Sequence, residues 1–248
     1  MKYIISFCLI FSVYNHSIGQ IKNGFVEYKI KEKMSFNDSK SEKKIEKKSN
    51  SLIKNALKKL FEGSQSTSDI EFELIFNSNF SYFSKKEKLK RENDSHNVFK
   101  LILQTRDKII TDFKNKVTLS RKDKYNLVVS DSLSKFNWKL INETKKIGNF
   151  LCYKAIGSVK LLMSSSKLKF KNQKIVAWYC PKININSGPS GYGGLPGLIL
   201  ELKEEGRIVF YASKLNFNLK KKLNVKKEFK GKIVTRKQYN NILKDKNN

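Results

Sequence analysis

The chain has 248 residues, 51 Lys or Arg against 22 Asp or Glu, and a formal net charge of +29. Such a charge ordinarily suggests a nucleic acid or an anionic surface as partner. However, only Arg91, Arg106, Arg121, Arg207 and Arg236 are arginine, and bidentate readout of bases and phosphates favours arginine, so specific nucleic-acid recognition is not expected. Lysines beside abundant asparagine and isoleucine read as solvated positions written by an AT-rich genome, with weak contact to an anionic surface as the alternative.

Met1-Lys2 is followed by an apolar run from Tyr3 to Tyr14 and the small residues Ser17-Ile18-Gly19. That is the order of an export signal, and cleavage is expected after Gly19. The run is too short to span a bilayer, and no later stretch approaches the roughly 18 apolar residues a spanning helix needs. Residues 20–236 are expected to form one β-rich domain, long enough for a sizeable core.

Gly24 to Ile30 alternates as a half-buried strand does. A polar run follows, then the one helical pattern of useful length, about Glu42 to Phe61. There Ile45, Leu52, Ile53, Ala56, Leu57, Leu60 and Phe61 share one stripe and lysines cover most of the remainder. Strands are expected at 71–76, 80–83, 98–104, 108–113, 116–120, 126–130, 137–142 and 150–159, with a turn over 144–148. Residues 198–203 and 207–213 flank Glu204-Glu205-Gly206 as a hairpin. One more strand is possible within 214–225. The tail 237–248 is polar and expected to fray. The fold class is therefore mainly β: an antiparallel curved sheet, open barrel or sandwich, with the early amphipathic helix against its concave face.

Between the apolar runs 175–179 and 198–202 lies the most distinctive stretch. It holds all three prolines, Pro181, Pro189 and Pro196, together with Gly188, Gly191, Gly193, Gly194 and Gly197. Ile183, Ile185, Tyr192 and Leu195 are interspersed, so it reads as a rigid loop rather than a linker. Gly194-Leu195-Pro196-Gly197 is expected to be a type II turn with Gly197 at positive φ. Leu195 and Leu198 should then point inward, and Ile199 outward or into a second layer.

Gly194 to Ile199 reads GLPGLI, and the chain resembles the GLPGLI family of secreted Bacteroidota proteins. The blocks Ala177-Trp178-Tyr179, Ser187-Gly188-Pro189, 138–148, Cys152-Tyr153-Lys154-Ala155, 72–77 with Ser81, and 24–28 carry the likeness over most of the chain. The resemblance implies an exported protein and brings no catalytic role. It departs at the cysteines: family members tend to have a second cysteine shortly after the first, and threonine where Cys180 stands.

Cys152 and Cys180 remain after processing. An even number in an exported chain suggests one disulfide; free buried thiols are the alternative. Metal ligation is disfavoured, because His96 is the only histidine beyond the signal. No catalytic residue is assigned and no cofactor is expected. His96 reads as a loop residue, Glu71 and Glu73 as solvent-facing, and Glu204 and Glu205 as turn residues. What remains is aromatic. Trp138, Trp178, Tyr179 and Tyr192 could line a ligand pocket floored by Gly194, Pro196 and Gly197, or could be core. The functional expectation is an exported, non-enzymatic binding or accessory protein of the cell envelope, acting on an unidentified envelope protein or small ligand. The alternative is a periplasmic hydrolase whose carboxylates are assembled near the loop.

Overall fold

The computed structural model describes residues 21, 23–32, 71–86, 108–164, 169–204, 208–217 and 229–246. The expected export signal, the helix over 42–61 and the strand over 98–104 lie outside the described residues.

Twelve strands form one sheet. In chain order they are β1 (Gly24–Glu32), β2 (Glu71–Phe76), β3 (Phe80–Lys85), β4 (Ile109–Asp112), β5 (Val117–Lys122), β6 (Leu127–Ser132), β7 (Lys139–Ile147), β8 (Phe150–Ser164), β9 (Lys169–Cys180), β10 (Leu198–Glu204), β11 (Ile208–Asn216) and β12 (Lys232–Thr235). Their order across the sheet is β12-β6-β5-β4-β3-β2-β1-β11-β10-β9-β8-β7, and it does not close. β12 runs parallel to β6; every other pairing is antiparallel.

The path of the chain forces this sheet to curl. β6 lies next to one end and β7 is the other end. In a flat sheet the ten steps between them would cover about 48 Å, at ~4.8 Å per strand. Only residues 133–138 join them, and the linkage reaches at most about 25 Å when fully extended. The sheet must therefore bend until its ends approach across one face. The connection does lie across that face: a Cβ placed on Gly157 of β8 would stand 2.6 Å from the Phe136 carbonyl and 2.7 Å from the Trp138 ring. Only glycine lets the crossing chain sit so close to β8.

Alternation puts one side chain in two onto this concave face. Val26, Tyr28, Phe72, Leu74, Phe76, Phe83, Ile175, Ala177, Leu202 and Phe210 are buried there. The Phe72 and Phe83 rings stack at 5.2 Å, and Phe210 meets both edge-on. Such pairs add about 0.5–1.5 kcal/mol each beyond their burial.

The bowl so formed is filled by its own chain. Residues 181–197 leave β9 and fold into the concavity. Ser187 shares a 2.7 Å hydrogen bond with Ser81 of β3, and a Cβ on Gly191 would lie 3.0 Å from Ile109 of β4. Ile183, Ile185, Tyr192 and Leu195 are buried. Tyr28 donates a 2.6 Å hydrogen bond to the Ile199 carbonyl, beside an irregularity in the β9–β10 register. Burial pushes the Tyr28 hydroxyl far above its ordinary pKa.

Two local expectations need correction, whereas the inward Leu195 and Leu198 and the second-layer Ile199 are as expected. The GLPG segment is not a type II turn: the Gly197 amide donates to the Leu195 carbonyl at 2.8 Å, the i→i+2 bond of a γ-turn about Pro196. Gly197 does have positive φ, at 151°. Leu195, Leu198 and Ile199 are all buried, because the loop is itself a layer between the sheet's two ends. The turn expected over 144–148 is strand. A register irregularity between Ile141 and Thr144 lets β7 continue to Ile147, and the turn falls at Gly148.

Finally, the tail is a helix, α1 (Arg236–Asp245). Thr235 and Gln238 form a reciprocal capping box. Tyr239, Ile242 and Leu243, at i, i+3 and i+4, pack on Leu127, Val129 and Val234 at the β6–β12 end. Arg236 is bound to the Asp131 carboxylate of β6, and Lys135 reaches it at 3.1 Å.

Two predictions follow from this architecture. A Cβ on Gly197 would lie 2.3 Å from the Cys180 carbonyl oxygen, whereas one on Gly191 first meets the Ile109 side chain, at 3.0 Å. Gly197→Ala should therefore cost about 3 kcal/mol or more, and Gly191→Ala, at φ 75° with flexible Ile109 and Thr118 side chains beside it, about 1–2 kcal/mol; denaturant melts showing equal losses would refute the difference. Second, burial raises the Asp131 pKa, but hydrogen bonds from Arg236 and the charge of Lys135 outweigh it, so the group sits below its ordinary value. A depressed carboxylate stabilises the fold above its unfolded pKa of ~3.9, and that contribution fades as pH falls through this value toward the folded one. Exchange protection of the 236–245 amides should thus decline from pH 5 to pH 3, and decline less in Asp131→Asn.

Candidate functional site

The residues singled out from the sequence do not share one place. Trp138 and Tyr192 lie on the concave side, against the filling loop. Trp138 donates from its indole nitrogen to the Gly193 carbonyl at 2.8 Å. Phe136 lies between them, 5.8 Å from the Trp138 ring and 4.9 Å from that of Tyr192. Tyr192 donates to Glu204 at 3.1 Å. Glu204, expected in a turn, is the last residue of β10, and its side chain is buried on the concave face. Tyr179 is also concave, 6.1 Å from Tyr153, and is only 5 % exposed. Gly194 and Pro196 are exposed, while Gly197 is buried against Cys180 and Pro181.

Trp178 stands apart, because the residue after Ala177 must face the outer surface. Register alone builds its surroundings. Lys154 of β8 pairs with Trp178 of β9, Trp178 with Glu201 of β10, Glu201 with Tyr211 of β11, Tyr211 with Lys29 of β1, and Lys29 with Glu71 of β2. The result is a row of charged and aromatic side chains across six strands. At its β7 end Lys145 lies 4.5 Å over the Trp178 ring and Lys154 at 5.8 Å. Lys145 is tied to Glu201 at 2.8 Å, and Lys154 to Glu143 at 2.7 Å. Cation–π contact and ion pairing thus use the same two ammonium groups. Farther along, Lys86 bridges Glu27 at 2.9 Å and Glu71 at 3.6 Å. Its pKa is raised, chiefly by the hydrogen bond to Glu27.

This outer shelf can hold polar or aromatic partners by stacking and exchange of ion pairs. Its two carboxylates beside Trp178 are each engaged by lysine, and among the described residues no group of three or more His, Cys, Asp or Glu could hold a metal. Sequence reasoning missed Lys145, Lys154, Glu143 and Glu201. Lys154 and Glu201 lay within strands that were foreseen, but only the cross-strand register shows that they flank Trp178.

Beneath the shelf lie the two cysteines, both free and buried; the expected disulfide is not formed in this structure. Lys145 pairs with Cys152, and Cys180 with Leu198. The Cys152 thiol donates to the Phe150 carbonyl at 3.7 Å. The neighbouring Cys180 sulfur, with burial, raises the pKa of Cys152, and the Cys152 neighbour, aided by the backbone amides of Ile183 and Lys182, pulls Cys180 down to about 6.

Among the described residues the β7 end exposes several large apolar side chains. Leu140 is 56 % exposed, Leu151 48 % and Tyr153 36 %. β7 is mostly exposed along its length.

Comparison with known proteins agrees with this picture at the level of fold. A family model described as a protein of unknown function (Porph_ging) matches residues 159–201, from β8 through the filling loop into β10. The GLPGLI name itself is not the one that matched. No curated protein matches the sequence. Among solved structures, PNGF-II in a P21 crystal form matches with a TM-score of 0.51 and 17 % identity, over 90 % of this chain and 33 % of that one. Its C2 form gives 0.51 and 19 %, over 90 % and 32 %. The chain thus spans about a third of those proteins, and the likeness is one of fold.

The two kinds of polar contact described here should differ in weight. Glu201→Gln breaks a half-exposed ion pair and should cost no more than about 1 kcal/mol. Tyr28→Phe leaves the buried Ile199 carbonyl without its donor and should cost about 1–3 kcal/mol. Chemical denaturation of both variants checks the order, and a larger loss at Glu201 would contradict it.

Proposed function

We propose that the chain is an exported, non-enzymatic binding module of the bacterial cell envelope, which docks an extended acidic segment of a partner polypeptide at its β7 edge. The observation that carries this reading is the difference between the two ends of the sheet. One face of the β12 end is packed under α1 and β12 is only four residues long, whereas β7 is a nine-residue edge strand exposed along most of its length among the described residues. An uncovered edge offers main-chain donors and acceptors to an added strand. Lys139 and Lys146 are exposed on it, and Leu140 and Leu151 are the apolar contacts beside them. The lysines and the net charge of +29 disfavour a second copy and favour an acidic strand. The fold's occurrence as about a third of a longer protein supports a modular role. A hydrolase is less well supported, because Glu143 and Glu201 already hold lysines.

A synthetic peptide alternating Glu and Val tests the edge, with an alternating Lys and Val peptide as control. The acidic peptide should bind the full chain, and Lys139→Glu with Lys146→Glu should weaken it by about tenfold or more. Equal binding of the two peptides, or no effect of the substitutions, would sink the reading. Export is tested separately: the folded protein recovered from the cell envelope should begin at Gln20, and Met1 at its N-terminus would refute that part.

A further inference from the structure

The paired cysteines carry an inference independent of the docking edge. Tyr153 pairs with Tyr179 across β8 and β9, so the next antiparallel step sets Cys152 opposite Cys180. Directly opposed residues of an antiparallel pair have Cα atoms about 4.5–5.5 Å apart, inside the ~4.4–6.8 Å range of disulfides. The two thiols are close enough to shift one another's titration. Both side chains are fully buried. The pair sits where β9 ends at Pro181 and the filling loop begins, and the Gly197 end of that loop returns onto the Cys180 carbonyl.

We infer that Cys152 and Cys180 form a dithiol site that a protein or small-molecule disulfide oxidises to a cross-strand bond at the root of the filling loop. The Cys180 thiolate attacks one sulfur of the donor, giving a mixed disulfide and releasing one donor thiolate. Cys152 then loses its proton and attacks the Cys180 sulfur. The new S–S bond forms, and the second donor thiolate leaves. The protein pair loses two electrons and two protons, and the donor becomes two thiols. Cys180 is suited to the first step because its pKa is lowered, and Cys152, opposite it on the neighbouring strand, is the resolving thiol. The bond would tie the loop's exit strand to β8, on the face that carries Trp178.

The test uses the full chain with Cys8→Ser, so that only this pair can react. The reduced protein is exposed to glutathione disulfide twice: once folded, and once during refolding from denaturant. After alkylation and digestion, the refolded sample should yield a peptide linking Cys152 to Cys180, with an intact mass lower by about 2 Da. Its thermal midpoint should exceed that of the reduced protein by roughly 5–10 °C. Cys152→Ser and Cys180→Ser should show neither the link nor the donor-dependent rise. The proposal is overturned if both cysteines are alkylated after refolding with the donor, if only glutathione adducts form, or if the linked protein melts at the reduced protein's temperature.

Discussion

Six residues between β6 and β7 decide the shape of the molecule. They are too few to cross a flat sheet, so the strands must curl until the ends meet over them. A curled sheet has an interior, and an interior without side chains reaching its centre needs another layer. The loop 181–197 is that layer. Its buried amides must be satisfied locally. Leu198 donates to the Ile183 carbonyl, Ile199 to Ser187 and Gly194 to Asn186, while Ser81 and Tyr28 reach in from the sheet. The Gly- and Pro-rich composition answers a steric demand: backbone lies on backbone where a side chain would not fit.

That arrangement reassigns the aromatic residues. Trp138, Phe136 and Tyr192 hold the crossing connection to the loop. An indole that donates to a loop carbonyl and lies over a glycine of β8 is part of the packing. Trp178, one residue from a buried alanine, lies on the outer surface in the same row as Tyr211. There it is clasped by lysines that are themselves held by glutamates.

Much of the fold was legible. Alternation at 24–30 and 71–76 placed inward residues correctly, and the clustered glycines and prolines announced a rigid loop. The curved, mainly β class also followed from many short strands. What the sequence hid was long-range. Period-two reading fails at a register irregularity, and the one in β7 moved the turn near 144. Glu204 looked like turn chemistry because acidic residues cluster there, yet its strand parity turns it inward onto Tyr192. The tail looked too polar to order. Its three apolar residues at helical spacing suffice because a capping box starts the helix and Asp131 anchors Arg236. The site was the least legible part. Glu143, Lys145 and Lys154 come from the β7–β8 hairpin and Glu201 from β10, both distant in sequence from Trp178, and nothing local marks them as its neighbours.

The two faces of the sheet divide the work. The concave face is consumed by folding, since its hollow is occupied by the chain's own loop. Among the described residues the outer face and the edges remain open, and one face of the β12 end is packed beneath α1. On β7 and the strands beside it lie the exposed Leu140, Leu151 and Tyr153, the charged shelf around Trp178, and, one step along the same outer face, the buried thiols. A change at the thiol pair acts on β8 and β9 together, the two strands that carry Lys154 and Trp178 and support β7. Loop anchorage and the β7 edge are therefore joined by a single pair of strands, so the rigidity of that pair bears on both.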